Sequence, residues 1–436
     1  MTEYSFRLTQ KQFDFIGGLL ATDEKECFVI ADCGKGKAEW SHSVEHKSWC
    51  IKGTPEVWPI EKIAQFSPTQ KNGDCYCIFV NNEDRLHGLF RSNADILWAT
   101  INQDSLSVYY SNDQDQLEPF DNCCIVGHDL HFIFNDKKHI DLSGQLRERT
   151  AQAFGTGTAE NLSKLTIGIA GVSGTGSIVA EQLLRLGVKR LVLVDNDVVE
   201  RRNLGRILNS TSQDAQKAVN KAKMVQRVYQ ASGLPTDVIA IDTVILEPQT
   251  VRALSQCDIL FGCLDSVDGR HQLNRISTFY CIPYFDLGVS LTADGKGGIS
   301  EITGVVRYVI PGESTLLSRK AYTLDQLNST SLKRDNPLEY ANRLKEKYIQ
   351  GAQEGSPAVI SVNMLTASLG VNDFLARIHP YRDDSNEHYE TIWIDLVNMR
   401  FCSESPSPSD KSYIKYIGIG DCSPLLNMPV LGDTEK

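Results

Sequence analysis

The chain has 436 residues, of which 41% are hydrophobic, 23% charged and 8% aromatic; it is long for one domain and too apolar to be disordered. A net charge of −11 with no run of Lys or Arg argues against nucleic acid as the main partner. No apolar stretch reaches the roughly 20 residues of a membrane helix, the opening MTEYSFRLTQ lacks the apolar core of a secretory signal, and the twelve scattered Cys fit reduced thiols, so a cytoplasmic location with no membrane partner is expected.

Residues 1–143 read as a separate α+β domain. Short alternating runs at 27–32, 75–80, 107–110 and 130–134 are separated by Gly, Asn, Asp and Lys clusters, the pattern of strands and turns. Residues 144–162 are polar and predict a short helix and a loop leading into the next domain. From residue 165 the pattern changes. A buried strand (165–170) runs into a Gly-rich turn, then an amphipathic helix (177–186) with Gly187 as its cap, then a second buried strand (190–194). A helix over 215–230 and strands over 238–245 and 259–262 follow. This alternation predicts an α/β domain over 144–400 built on a Rossmann-like, doubly wound, mostly parallel sheet. Residues 313–357 are polar, with one helical stretch at 338–348, and read as a crossover insertion. A buried helix (358–378), a strand (389–396) and a C-terminal tail (401–436) complete the chain.

The central motif is Gly171-Val-Ser-Gly174-Thr-Gly176-Ser177, between a strand and a helix. Its glycines allow a tight turn and close backbone approach to phosphates, and the helix behind it offers free N–H groups and a positive dipole end. Asp195 follows the second strand, 19 residues past Gly176, where an acid accepts hydrogen bonds from a ribose. So far this is equally the fingerprint of an NAD-dependent oxidoreductase. The downstream residues tilt the balance: Asp195-Asn-Asp197, then Asn203-Leu-Gly-Arg206, then Lys223 on the next helix, then Asp265 after the following strand. An oxidoreductase leaves these cations without a task, whereas an enzyme that splits ATP needs fixed positive charge for the phosphates and a carboxylate for Mg²⁺.

In that order these segments resemble the ThiF/MoeB and ubiquitin-activating-enzyme superfamily, over 144–300 and more loosely over 358–378. The resemblance implies an ATP-dependent adenylyltransferase acting on a ubiquitin-like or sulfur-carrier protein that ends in Gly. It implies that Gly171, Gly174 and Gly176 shape the nucleotide turn and that Asp195 binds the ribose beside Asp197. Asn203, Arg206 and Lys223 then face the triphosphate, and Asp265 holds Mg²⁺. An Arg upstream of the first strand, Arg147 or else Arg149, is implied to reach into a partner subunit, making a homodimer. Three departures stand out. Ser173 replaces the middle Gly of the turn. The linker from Arg206 to Lys223 is longer than the pattern, so Lys221 is an alternative. The C-x-x-C zinc pairs of many members are missing, so no structural zinc is expected. An inactive half of a heterodimeric enzyme would have lost the Arg or the Lys, and both are present.

Relatives often pass the activated carrier to a thiol, and on to a conjugating enzyme. The insertion at 313–357 holds no Cys; Cys422, in a Gly-rich context, is the first candidate and Cys402 the second, with direct release of the acyl-adenylate as the alternative. In the N-terminal domain Ser92-Asn-Ala-Asp95 has the S-x-x-D form of JAMM/MPN metallopeptidases, but Asn82 and Asp84 stand where the two zinc-binding His should be. That resemblance implies a metal-free binding module, with chance similarity as the alternative. His128, His131 and His139, close in sequence, are expected to be structural.

Overall fold

The computed structural model describes residues 2–21, 27–41, 44–59, 62–63, 66, 75–90, 93–102, 105–135, 145–293, 298–345 and 359–432. The N-terminal part is a nine-stranded mixed sheet built from β1 (Thr2–Thr9), β2 (Cys27–Ser41), β3 (Val44–Pro59), β4 (Cys75–Val80), β5 (Ile96–Ile101), β6 (Leu106–Ser111), β7 (Leu117–Pro119), β8 (Asn122–Val126) and β9 (Leu130–Phe134), with helices α1 (Gln10–Ala21) and α2 (Glu83–Leu89). Its strand order is β7-β6-β5-β4-β2-β3-β1-β8-β9. The residues that carried the metallopeptidase likeness do ordinary work where they are described. Asn82 caps α2 through Arg85 N–H at 2.8 Å, and Asp95 pairs with Lys35 at 3.2 Å; Ser92 and His139 lie outside the described residues.

The polar segment at 145–162 forms α3 (Gln145–Leu162), which kinks where Gly155 takes φ +82°. Beyond it stand β10 (Thr166–Ala170), α4 (Gly174–Arg185), β11 (Arg190–Val194), α5 (Ser212–Gln216), α6 (Lys221–Ser232), β12 (Asp237–Ile241), α7 (Pro248–Ser255), β13 (Ile259–Gly262) and α8 (Val267–Tyr280). Then come β14 (Tyr284–Ala293), β15 (Ile299–Val309), α9 (Leu324–Asp335), α10 (Pro337–Lys345), α11 (Ile360–Ile378), β16 (Thr391–Asp395), β17 (Arg400–Glu404) and α12 (Lys411–Ile414). The second sheet has the order β12-β11-β10-β13-β14-β15-β16-β17. Strands β12, β11, β10, β13 and β14 run parallel, as doubly wound sheets do; β15, β16 and β17 return antiparallel. β10 and β11 are buried at every position, which is why their apolar runs are unbroken rather than alternating.

Three expectations need correcting. The helix read over 215–230 is two helices, because Ala218 adopts φ +47° between α5 and α6 and Asn220 caps the second. The insertion carries a helix the sequence reading passed over, α9, opened by a capping box between Thr323 and Gln326. The C-terminal tail is folded: β17 crosses the expected boundary at 400, and Leu425, Leu426 and Leu431 are buried in the core under the second sheet.

The two sheets share a core, in which Cys124, Val126 and Leu130 pack with Leu165, Ile167 and Phe285. Arg7, 1% exposed, crosses the seam from β1 and donates to the carbonyls of Ser255 (3.0 Å), Cys257 (3.1 Å) and Tyr280 (3.3 Å). Gly420 from the C-terminal segment bridges to Lys35 of β2. The two sheets are thus tied together by a shared core, a buried guanidinium and a C-terminal bridge.

Candidate functional site

One cleft of about 1250 Å³ opens at the C-terminal ends of β10, β11 and β13, where open α/β sheets place their ligands. It exceeds the roughly 300–1,000 Å³ of common small-molecule pockets. Its floor is the Gly-rich turn. Gly171 takes φ +86°, a conformation that suits glycine, and donates its N–H to Val194 at 2.9 Å. Gly176, below the surface, has no room for a side chain, because a Cβ there would fall on the Gly171 carbonyl oxygen. α4 starts at Gly174, and Ser173 at its N-cap makes no side-chain cap bond. The first N–H groups of α4 thus border the cleft, with Ser173, Gly174 and Thr175 lining it.

On one side stands Asp195, 9% exposed. Its carboxylate accepts from Val172 N–H at 2.7 Å and Asp197 N–H at 2.9 Å. Burial pushes this carboxyl up, while the Lys221 ammonium and the two N–H bonds pull it back. A carboxylate has about four acceptor positions, so Asp195 keeps capacity for a ribose hydroxyl. Asn220 locks the same loop by donating to the carbonyls of Asp195 at 2.7 Å and Asp197 at 3.1 Å.

The cations divide in an unexpected way. Lys221, 6% exposed, lines the cleft, 2.8 Å from Asp197 and 4.0 Å from Asp195. Lys223 does not line it: two positions along a helix turn a side chain to another face, and Lys223 there meets Asp242 in an exposed ion pair. Asp242 adjoins Thr243, which does line the cleft. Arg206 lines the cleft, half-buried, with no carboxylate partner among the described residues. Asn203 holds the turn that presents it. The Asn203 side chain accepts from Glu200 N–H at 2.9 Å, and its carbonyl accepts from Arg206 N–H at 3.0 Å. Asn203 also lines the cleft, with its side-chain oxygen committed to the loop.

Opposite, Asp265 is exposed and faces the cleft just before α8. Asp268 is taken by Arg334 of the insertion at 2.9 Å, which ties α9 across the mouth. Arg270 and Arg307, both lining the cleft, flank the fully buried Asp286 at 3.3 and 3.0 Å. Burial works against the charge on Arg270, and Asp286 more than restores it. The sequence analysis gave none of Asp268, Arg270 and Arg307 a role in the cleft. Asp286 and Arg307 sit opposite each other in the β14–β15 register, a pairing visible only once the hairpin is aligned. Asn363 of α11 was also missed; it lines the cleft above Gly174.

Arg147 falls in the first turns of α3, and its side chain lies outside the described residues; Arg149 is exposed and donates to Gln152 at 3.0 Å. Among the described residues no three His, Cys, Asp or Glu converge on a metal site, so Asp265 offers a single carboxylate. Mg²⁺ accepts one or two carboxylates completed by waters and phosphate oxygens, a donor set that Asp265 fits.

Of the two candidate thiols, Cys422 is half-buried, donates to Pro424 carbonyl at 3.3 Å, and is pushed up by that burial. Cys402 is exposed on β17, directly across from Trp393, which lines the cleft and faces Val305 on its other side. Cross-strand partners share a face, so Val305, Trp393 and Cys402 form one row leading out of the cleft. Cys263 lines the cleft, but burial raises its thiol well above the range where thiolate forms.

Among curated proteins, the chain is 25% identical over 164 residues to "Ubiquitin-like modifier-activating enzyme 5" of Drosophila willistoni, covering 36% of this chain and 38% of that protein. It is 28% identical over 166 residues to the protein of that name from Dictyostelium discoideum, covering 36% and 41%. The matched region is thus about two fifths of those relatives' length. Among solved structures, that of E. coli MccB with ATP aligns with TM-score 0.45 and 18% identity, over 62% of this chain and 73% of that one. The model of the ThiF family matches residues 146–389, more than half of the sequence, and the chain belongs to the ThiF family.

Proposed function

We propose that the chain adenylates the C-terminal carboxylate of a small ubiquitin-like protein ending in Gly, using ATP and releasing pyrophosphate. The observation that carries this reading is the convergence of the α4 N-terminus, Arg206 and Asp265 on one cleft beside the ribose acid Asp195. A carboxylate oxygen attacks the α-phosphorus and the bond to the bridging oxygen of the leaving pyrophosphate breaks. The nucleophile is already an anion at neutral pH, so no general base is required; the need is for fixed positive charge as charge shifts to the leaving group. Arg206 supplies it from inside the cleft. Lys221 is neutralised by two carboxylates, so its role is to hold Asp195 and Asp197. Lys223 has only an exposed pair of little worth to give up, and swings from Asp242 to the triphosphate. Mg²⁺ on Asp265 supplies further charge neutralisation at the phosphates when bound.

The part of the cleft over β14–β16, lined by Ser290, Thr303, Val305 and Trp393, receives the carrier's tail. The names of the curated relatives favour a ubiquitin-like carrier over a sulfur carrier, with the acyl group then passing to a thiol, for which Cys402 is better exposed than Cys422, and to a conjugating enzyme. A second copy completes the site with Arg147. Calorimetry with ATP and with NAD separates this reading from an oxidoreductase: ATP binds wild type and is weakened in Arg206→Ala, whereas tight NAD binding indifferent to Arg206 sinks the proposal.

A further inference from the structure

Asn363 is 2% exposed, and its side-chain nitrogen, buried, has no hydrogen-bond partner. Buried polar groups are nearly always paired, so an orphan of this kind asks for an explanation. Its location supplies one. The nitrogen sits against Gly174, the first residue of α4; a Cβ added at Gly174 would collide with it and would lie 3.5 Å from Arg206 Cδ. Asn363 lines the same cleft as Ser173, Gly174 and Arg206. Three kinds of donor therefore meet at one spot: the free N–H groups opening a twelve-residue helix, a guanidinium, and an unpaired amide. Such a spot is shaped for an oxyanion with several acceptor positions. The position is held firmly, because α11 is braced on α4 through Gln182 and Ser368 at 3.1 Å.

We propose that Asn363 Nδ2 donates a hydrogen bond to a non-bridging phosphate oxygen of the nucleotide at the N-terminus of α4, acting beside Arg206. This rests on the reading of the cleft as an ATP site. The absence of Cβ at Gly174 is then what allows the amide to reach over the helix end. The chemistry sought is an oxyanion, which a carrier's C-terminal carboxylate also presents; the test separates the two.

The test measures affinity of the full chain for a non-hydrolysable ATP analogue, for adenosine and for a Gly-Gly-ended peptide, in wild type, Asn363→Ala and the isosteric Asn363→Asp. Wild-type binding of the ATP analogue establishes the underlying reading independently of this residue. The expected result is a loss of roughly 10–100-fold for the ATP analogue in Asn363→Ala, the worth of a hydrogen bond to a charged group, and a larger loss in Asn363→Asp, whose carboxylate repels phosphate. Adenosine affinity stays within about two-fold and the ligand-free melting temperature of Asn363→Ala does not fall, since the change removes an unpaired amide. ATP-analogue affinity within about two-fold of wild type in both variants overturns the proposal. So does an equal loss for adenosine, a loss confined to the peptide, or a fall in ligand-free melting temperature without loss of nucleotide affinity. If Asn363→Ala does not fold, Asn363→Asp decides alone.

Discussion

The nucleotide turn makes a graded prediction from three glycines. At Gly176 an added Cβ would land on the Gly171 carbonyl oxygen, 2.9 Å from its carbon and 3.3 Å from Cys263 Cβ. Two of those obstacles are main chain, so relief requires the turn itself to open. Overpacking of this kind costs about 1–3 kcal/mol, and a backbone obstacle puts Gly176→Ala near the top of that range. At Gly174 the obstacle is the tip of the Asn363 side chain, with its Cγ at 3.3 Å, and a rotamer change relieves most of it. At Gly205, in the loop before Arg206, nothing lies within 4 Å, and Gly205→Ala is expected within about 0.5 kcal/mol of wild type. Thermal unfolding with and without ATP reads the series. Gly176→Ala is expected to lower Tm by roughly 3–6 °C and, by displacing the helix N-terminus, to weaken ATP by on the order of 100-fold, the equivalent of about 3 kcal/mol. Gly174→Ala is expected to keep near-native Tm yet lose ATP affinity. A Gly176→Ala protein with wild-type Tm and ATP binding, or a Gly205→Ala protein as damaged as Gly176→Ala, refutes the close-approach argument.

The two lysines should separate by assay. Lys221→Ala leaves Asp195 buried without its cation and is expected to lower stability by about 3 kcal/mol, read by denaturant unfolding. Lys223→Ala, which removes only an exposed pair, is expected to leave stability within about 1 kcal/mol and slow adenylation by on the order of 10²-fold; the reverse pattern would reassign both. For the thiol step, Cys402→Ser is expected to abolish a reducible carrier adduct on gels while adenylate formation persists, and Cys422→Ser to leave the adduct intact. If Arg147 acts across a dimer, mixing inactive Arg147→Ala with inactive Asp265→Ala restores part of the activity; no recovery in a verified mixed dimer rejects the composite site.

Much of the second sheet could be read from sequence because its signals are local. β11 and β13 have the expected limits, since a buried parallel strand is an uninterrupted apolar run. The Gly-rich turn, Asp195 and Arg206 lie in one continuous stretch of β10, α4, β11 and the loop after it, so their spacing is local. The N-terminal sheet was only partly legible: β3 mixes Lys, His, Gly and Pro with its apolar residues, and its place between β1 and β2 comes from long-range pairing. Lys221 and Lys223 could not be told apart because the answer depends on how α6 is capped, and that depends on the break at Ala218. Asn363 and Gly174 are distant in sequence, as are Asp286 and Arg270 from Arg307, and no local pattern announces either cluster. The folded C-terminal segment was mistaken for a tail because its Gly-rich sequence looks flexible, whereas Gly418 and Gly420 take φ +68° and +70° to pass close against β2 and β3.

The central claim is tested most directly by pyrophosphate–ATP exchange with purified chain, with and without a ubiquitin-like protein ending in Gly, in wild type and Asp265→Ala. The account predicts exchange that depends on the carrier, vanishes when its terminal Gly is removed, and is lost in Asp265→Ala while Tm is unchanged. Exchange that proceeds undiminished in Asp265→Ala, or no exchange with any Gly-ended carrier by a chain that binds ATP, would contradict it.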